Sequence, residues 1–311
     1  MDQQKIEILI STKVWDAKPW VKGLSQMKNV SKVHVWPTEE DLSEVEALFV
    51  WKPLDAGVVK RLPKLKWISS LGAGVDHLIG DDQIPSEIPI TRIVDPYLTR
   101  DMTNYVIMGV IMHQRSMLSL LENQQKKHWD RLEYKNLKVG VLGLGELGGH
   151  CARHLAMLGF VTYGFSRSPK QIEGVQSYSG DQLETCLADL DVLVNLLPVT
   201  PETESILDAG LFDKMKKGAF LINVARGNHL VTNDLLNALD QGQLTGALLD
   251  VFRTEPLPKD SPLWTHPKVM ITPHVASVTT PDSALALLES NIQRLIEEED
   301  LQHQVDRAAG Y

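Results

Sequence analysis

Cysteine is nearly absent from this 311-residue chain: only Cys151 and Cys186 occur, far apart and in neither a CxxC nor a metal-ligand spacing. That excludes a disulfide framework and a thiolate metal centre, and it suits a reducing cytoplasm. Long hydrophobic runs are missing too, since none approaches the roughly 20 apolar residues a membrane-spanning helix needs. The opening MDQQKIEILI has no basic segment leading into an apolar one, so no secretory leader is expected. Positive charge is in deficit, with 31 Lys and Arg against 40 Asp and Glu and a net charge of −9. Nucleic acid is held by clustered Lys and Arg, so it is not an expected partner, whereas a local cationic site for a small anion stays compatible with the overall sign. The acidic run EEED at 297–300 reads as the solvated end of a helix. Low-complexity segments and fixed-period repeats are also lacking.

What is present is an alternation of short apolar runs with helical patterns. IEILI, KVHVW, ALFVW, LKWISSL and ITRIV come first, followed by VGVLGLG, VTYGF, VLVNLLP, AFLINVA, GALLDVF and VMITP. Runs this apolar predict strands covered on both faces, as in parallel sheets. Helical patterns fill the gaps, such as DLLNALDQG with Gly242 as its C-cap. The expected fold class is α/β, with two doubly wound, Rossmann-like parallel sheets. A boundary is expected near Pro96, with Thr99 or Asp101 capping a long helix that opens the second unit. TTPDSALALLESNIQRLIEEED predicts an amphipathic helix capped near Thr280 that returns with the tail to the first unit. The expected domains are therefore 98–279, and a discontinuous one of 1–97 plus 280–311.

KVGVLGLGELGGH carries Gly143, Gly145 and Gly148 as GxGxxG between a strand and a helix. Gly143 permits a tight turn, Gly145 lets backbone approach a pyrophosphate, and Gly148 lets the helix pack closely; a turn without ligand is the plainer alternative. In such a site the next strand ends on an acid that binds a ribose hydroxyl, about 20 residues beyond the glycines. VTYGFSRSPK at 161–170 has no acid there, and Ser166, Arg167 and Ser168 occupy the place. A carboxylate would repel a 2′-phosphate, whereas Arg167 can fork to it and the serine hydroxyls can donate. NADPH is thereby favoured and NADH expected to bind more weakly, unless Arg167 is only an exposed loop residue.

Three polar residues end later elements: Arg226 in LINVARGNHL, Glu255 in RTEPLP and His274 in ITPHVAS. At the carboxyl ends of parallel strands they can converge on one crevice. Together they suit carbonyl reduction. Arg226 binds a carboxylate and polarises the adjacent carbonyl, His274 donates a proton, and Glu255 orients the imidazole. Singly, each also reads as an ion pair, a turn residue or a packed strand end. His150 and His154 share a helix turn but lack the Glu of HExxH, so no metal site is expected.

LGLGELG, NLLPVTPET, INVARG, LLDVFRTEPLP and ITPHVA, in that order, with LGAGVDHL at 71–78, resemble the signature blocks of the D-2-hydroxyacid dehydrogenase family. VWKP at 50–53, FSR at 165–167, SPLWTHPKV at 261–269 and the ending VDRAAGY resemble a bacterial, cytoplasmic, NADPH-using branch of it. The resemblance implies a flavodoxin-like substrate domain and an NADP-binding Rossmann domain, a homodimer, and Arg226, Glu255 and His274 as the catalytic set. It also implies cofactor contacts at Glu146, Leu147, Leu197, Pro198, Thr203, Val224, Ala225 and Asp250, the last beside the nicotinamide carboxamide. Leu71 and Gly72, with backbone N–H groups of Ala73 and Gly74, would hold a small 2-keto acid, and Trp51 would wall its pocket. The reaction implied is reduction of glyoxylate to glycolate and of hydroxypyruvate to D-glycerate. A reductase of bulkier acids such as phenylpyruvate, and a nucleotide-sensing corepressor on the same scaffold, are the competing readings.

Overall fold

The apolar runs are strands with both faces covered. In IEILI, Ile6, Ile8 and Ile10 pack with Ala47, Phe49 and Trp67 on one side, and Leu9 packs with Leu48, Val50 and Ile68 on the other. Successive side chains alternate between faces, so a strand covered twice must be apolar at every position. Burying a side chain such as Phe49 or Leu9 completely is worth about 1.5–3 kcal/mol. The computed structural model describes residues 4–13, 15–134 and 136–310. Tyr311 of VDRAAGY and the first three residues of MDQQKIEILI lie outside them.

The chain forms two compact units, one running to Leu98 and resuming at Val278, the other spanning Thr99–Ser277. The first holds a parallel sheet of β1 (Ile6–Ser11), β2 (Val30–Val35), β3 (Val45–Val50), β4 (Trp67–Ser70) and β5 (Ile90–Thr91), ordered β2-β1-β3-β4-β5. That is the flavodoxin-like order. The helix Pro281–Ile296 follows Thr280 at its N-cap and adds Ala284, Leu288 and Ile292 to the core around Phe49 and Trp67. It crosses the helix Lys18–Leu24 so closely that a Cβ on Gly23 would lie 2.2 Å from Leu285 Cδ1. The tail then runs beside β5, where Val305 N donates to Ile90 O (2.8 Å) and Arg307 Nη2 to Ile88 O (2.6 Å).

The second unit holds β6 (Lys138–Leu142), β7 (Val161–Ser166), β8 (Val175–Ser179), β9 (Val192–Asn195), β10 (Ala219–Asn223), β11 (Leu244–Leu249) and β12 (Val269–Ile271). They are all parallel, in the order β12-β11-β10-β9-β6-β7-β8. The order runs outward both ways from β6, so the topology switches between β6 and β9, where open α/β sheets bind ligands beyond their carboxyl ends.

The fold class is the one the alternating runs predict, with three local differences. β8, VQSYS, has no apolar run to announce it, because it is a partly exposed edge strand paired only to β7. The long helix is capped neither by Thr99 nor by Asp101. It starts at Pro96, and Asp95 Oδ1 accepts from Tyr97 N (2.7 Å) and Leu98 N (2.9 Å). Proline lacks only an N–H that the first helical turn leaves unused, so the residue that ends one element here begins the next. This helix stops at Gln114, and after Ser116 in the left-handed region (φ 53°) a second one runs Met117–Gln125.

Candidate active site

The glycine turn leaves β6. Gly143 has φ 91°, its N–H donates to Phe165 O at 2.8 Å, and a Cβ there would lie 2.6 Å from Leu196 O. A Cβ on Gly148 would fall 1.7 Å from Gly143 O. The protein's own packing thus requires both. Gly145 differs, because a Cβ there would meet nothing within 4 Å. Its bare backbone faces open space at the start of the helix Glu146–Met157, whose first N–H groups have no acceptor inside the helix. The turn therefore fits a pyrophosphate, the helix end adding partial positive charge.

At the end of β7, Arg167 and Ser168 are exposed while Ser166 is buried. Ser166 Oγ donates to Ser168 O at 2.7 Å, so this hydroxyl shapes the turn that carries Arg167 and Ser168. Arg167 lies within electrostatic reach of Glu202. The Glu202 carboxyl is held below its ordinary range, chiefly by a hydrogen bond with Thr200 and to a smaller degree by Arg167.

Leu197, Pro198 and Thr203 lie on the loop after β9. Thr203 Oγ1 donates to Pro198 O (2.6 Å) and accepts from Thr200 N (2.8 Å), which folds the loop on itself. Val224, Ala225 and Arg226 follow β10, the first two buried and Arg226 half-buried. Arg226 precedes the turn Gly227–His229 with its backbone extended, and its Nη1 donates to Ala225 O at 2.7 Å. A Cβ on Gly227 would lie 1.8 Å from the Phe252 carbonyl carbon. Glycine at 227 is what lets the Arg226 segment press against the segment leading to Glu255.

His274 Nδ1 stands 2.8 Å from Glu255 Oε2, with the two side chains 29% and 22% exposed, shielded yet reachable. Glu255 Oε1 accepts from Phe252 N at 3.1 Å, so the carboxylate is anchored before it meets the ring. An ionised carboxylate only accepts, which assigns a proton to Nδ1 and leaves Nε2 as the ring nitrogen not engaged by Glu255. His274 itself adopts φ 56°, sparsely populated by residues other than glycine.

Asp250 and a chain behind it hold that conformation. Asp250 O accepts from His274 N (2.8 Å), while its carboxylate accepts from Val275 N and Ala276 N (both 2.9 Å) and Thr272 Oγ1 (2.5 Å). Thr272 spends its proton on Asp250, so Tyr105 must be the donor across the 2.5 Å contact between their hydroxyls. Burial pushes the Tyr105 phenol up to about 12, keeping it protonated for this role. Asp250 is only 1% exposed and all these partners lie in its own unit, so it orders the His274 loop beyond the cofactor contact expected of it. Sequence reading missed Tyr105 and Thr272, and also Asn195, Asn223 and His229. For Asn195 and Asn223 the available signal was a polar residue closing an otherwise apolar strand, as in VLVN and AFLIN.

In the first unit, Leu71–Gly74 form the loop after β4. Leu71 N donates to Val50 O (2.8 Å), Gly72 O accepts from Ile93 N (2.9 Å), and Ser70 Oγ donates to Gly74 O (2.7 Å), with Ala73 and Gly74 half-buried. Trp51, just past β3, stacks on Trp15 at 4.1 Å and lies over Gly72, where a Cβ would meet its ring at 2.3 Å. In the second unit the His150 and His154 rings stack at 3.9 Å. His150 Nδ1 faces Thr103 Oγ1 and His154 Nδ1 faces the His150 carbonyl, so each is engaged within the helix packing.

Residues 107–276 match the model of the D-isomer specific 2-hydroxyacid dehydrogenase NAD-binding domain. A glyoxylate/hydroxypyruvate reductase A from Serratia proteamaculans is 41% identical over 90% of this chain and 92% of its own. Another so named, from Photorhabdus laumondii, is 39% identical over 98% of this chain and 100% of its own. A D-isomer specific 2-hydroxyacid dehydrogenase from Xanthobacter autotrophicus, solved with NADPH and MES, superposes with a TM-score of 0.94 at 36% identity, covering 99% of this chain and all of that one. The NADPH-dependent glyoxylate/hydroxypyruvate reductase of Sinorhizobium meliloti, solved with NADP and sulfate, gives 0.93 at 36% identity over 99% of this chain and all of that one. The imidazole–carboxylate pair, the arginine before its glycine and the glycine turn, at the carboxyl edge of one parallel sheet, agree with these similarities: the chain belongs to the D-isomer specific 2-hydroxyacid dehydrogenase family.

Proposed function

We propose that the chain is an NADPH-dependent reductase of small 2-keto acids, converting glyoxylate to glycolate and hydroxypyruvate to D-glycerate. The observation that carries this reading is the His274–Glu255 pair at 2.8 Å, on the same sheet edge as Gly145 and Arg226. NADPH, bound along the glycine turn, supplies the hydride. Arg226 binds the substrate carboxylate through its guanidinium and polarises the neighbouring carbonyl. In the first unit, the backbone N–H groups of Ala73 and Gly74, together with Trp51, are the groups proposed to contact the 2-keto acid. His274 Nε2 delivers a proton to the carbonyl oxygen as the carbon gains hydride, yielding the 2-hydroxy acid. Glu255, fixed by Phe252 N, holds the ring and stabilises it while charged. Gly143, Glu146, Leu147, Gly148, Leu197, Pro198, Thr203, Val224 and Ala225 line the cofactor, with Arg167 and Ser168 at its 2′-phosphate. This reading carries with it a cytoplasmic homodimer.

Purified protein mixed with NADPH and glyoxylate or hydroxypyruvate should show loss of reduced-nicotinamide absorbance. Binding of NADPH without turnover of either acid would refute the reductase and favour a nucleotide-sensing role, and turnover of phenylpyruvate alone would move the substrate to bulkier acids. Arg167→Ala is expected to weaken NADPH by about 1–3 kcal/mol, the worth of a charged hydrogen bond. NADH should be little affected, and titration of both nucleotides checks this. Equal weakening would remove Arg167 from the phosphate.

A further inference from the structure

Asn195, Asn223 and His229 are polar side chains with no exposed surface at all, gathered where β9 and β10 end. Apolar residues of similar size would fill the same space without desolvating hydrogen-bonding groups, so stability alone does not call for them. Their hydrogen bonds form one connected set. Asn195 Nδ2 donates to Asn223 Oδ1 (3.0 Å) and to His229 Nδ1 (2.9 Å). An amide nitrogen only donates, so His229 Nδ1 must be the unprotonated acceptor and its proton sits on Nε2, 3.1 Å from Pro198 O. Asn223 Nδ2 donates to Arg226 O (3.1 Å), while its Oδ1 also accepts from Ala225 N (3.3 Å) and Asn195 Oδ1 accepts from Leu197 N (3.3 Å). Reversing either amide would set donor against donor, so these contacts fix both orientations.

The set spans two loops. One end is Pro198 O, shared with Thr203 Oγ1; the other is the backbone of Arg226. We infer that His229 is a positioning residue: through Asn195 and Asn223 it holds the Arg226 segment in register with the Pro198–Thr203 loop. This rests on the proposed function, in which Arg226 binds substrate and Pro198 and Thr203 face the cofactor. The neutral Nε2–H tautomer is the form that serves, accepting on one side and donating on the other. A satisfied buried network of this kind admits one geometry, whereas apolar packing tolerates small slides.

The test compares wild type, His229→Leu and His229→Gln, measuring kcat and KM for glyoxylate, the NADPH dissociation constant by nicotinamide fluorescence, and thermal midpoint. Leucine leaves one Asn195 N–H buried without its partner and takes one donor from Pro198 O. It should lower kcat by about tenfold to a hundredfold, the scale of a misplacement of order 1 Å, and weaken NADPH about threefold or more. Glutamine carries an acceptor and a donor on one amide and should restore most of both. A folded leucine variant with wild-type kcat and NADPH affinity overturns the inference, as does a glutamine variant no better than leucine at equal stability. Should the leucine variant fail to fold, His229→Asn, too short to span both partners, takes its place with the same expected losses. Wild type that binds NADPH but reduces neither acid refutes the proposed function alone, and the NADPH affinities of the variants then decide the role of His229. Wild type that does neither overturns both.

Discussion

His274→Ala is expected to lower kcat for glyoxylate by about 10²–10⁴-fold, the contribution of a positioned proton donor, while NADPH binds nearly as before. Glu255 holds the ring and Asp250 its backbone, and neither anchor passes through the turn at Gly143–Gly148. The loss should therefore fall on turnover. Position 274 sits at φ 56°, where alanine is strained by its Cβ, so part of the alanine effect could come from the loop rather than the chemistry. His274→Asn tells these apart, since asparagine enters the left-handed region more readily yet carries no group to deliver the proton. Both variants should lose turnover alike. An asparagine variant near wild-type kcat, or a large loss of NADPH affinity in either, would remove the imidazole from its assigned role.

Arg226→Ala comes next, with an expected fall in kcat/KM of about 10²–10³-fold, on the scale of removing a preorganised donor to developing charge. KM should rise because the carboxylate loses its fork, and kcat should fall because the carbonyl loses polarisation. The fold should survive. The segment keeps its backbone tie from Asn223 Nδ2 to Arg226 O, while the Nη1 bond to Ala225 O disappears with the side chain. Arg226→Lys keeps the charge without the planar fork, so it should recover only part of the loss. Steady-state kinetics across substrate concentration checks both. Recovery of full wild-type turnover by the alanine variant at saturating substrate would reduce Arg226 to a binding group.

Much of this molecule was legible in the order of its residues, for identifiable reasons. Strands covered on two faces must be apolar throughout, so their number and parallel arrangement could be read almost completely. β8 escaped because an exposed edge strand is under no such demand. The glycine turn was legible because Gly143 and Gly148 are fixed by backbone contacts that no side chain survives. His274 and Glu255 were legible as a pair because they stand at the ends of consecutive segments of one sheet and their chemistries are complementary.

Other features depended on distances that no spacing reveals. That the Ser166 hydroxyl also ties the turn to Ser168 O could not be read from its place in the sequence. Asp95, rather than Thr99 or Asp101, caps the long helix because the proline after it fits the first helical position. Asp250 looked like a cofactor contact, yet it gathers the His274 loop onto its carboxylate, with Tyr105 bracing it from a helix more than a hundred residues away in sequence. His229 gave no sign at all, being one histidine among ten. Sequence alone determined which elements form and which side chains can do chemistry, because burial pattern and functional-group identity are local properties of the chain. Tertiary structure alone decided which buried donor meets which carbonyl, because hydrogen bonds act over about 3 Å and join residues that only folding brings together.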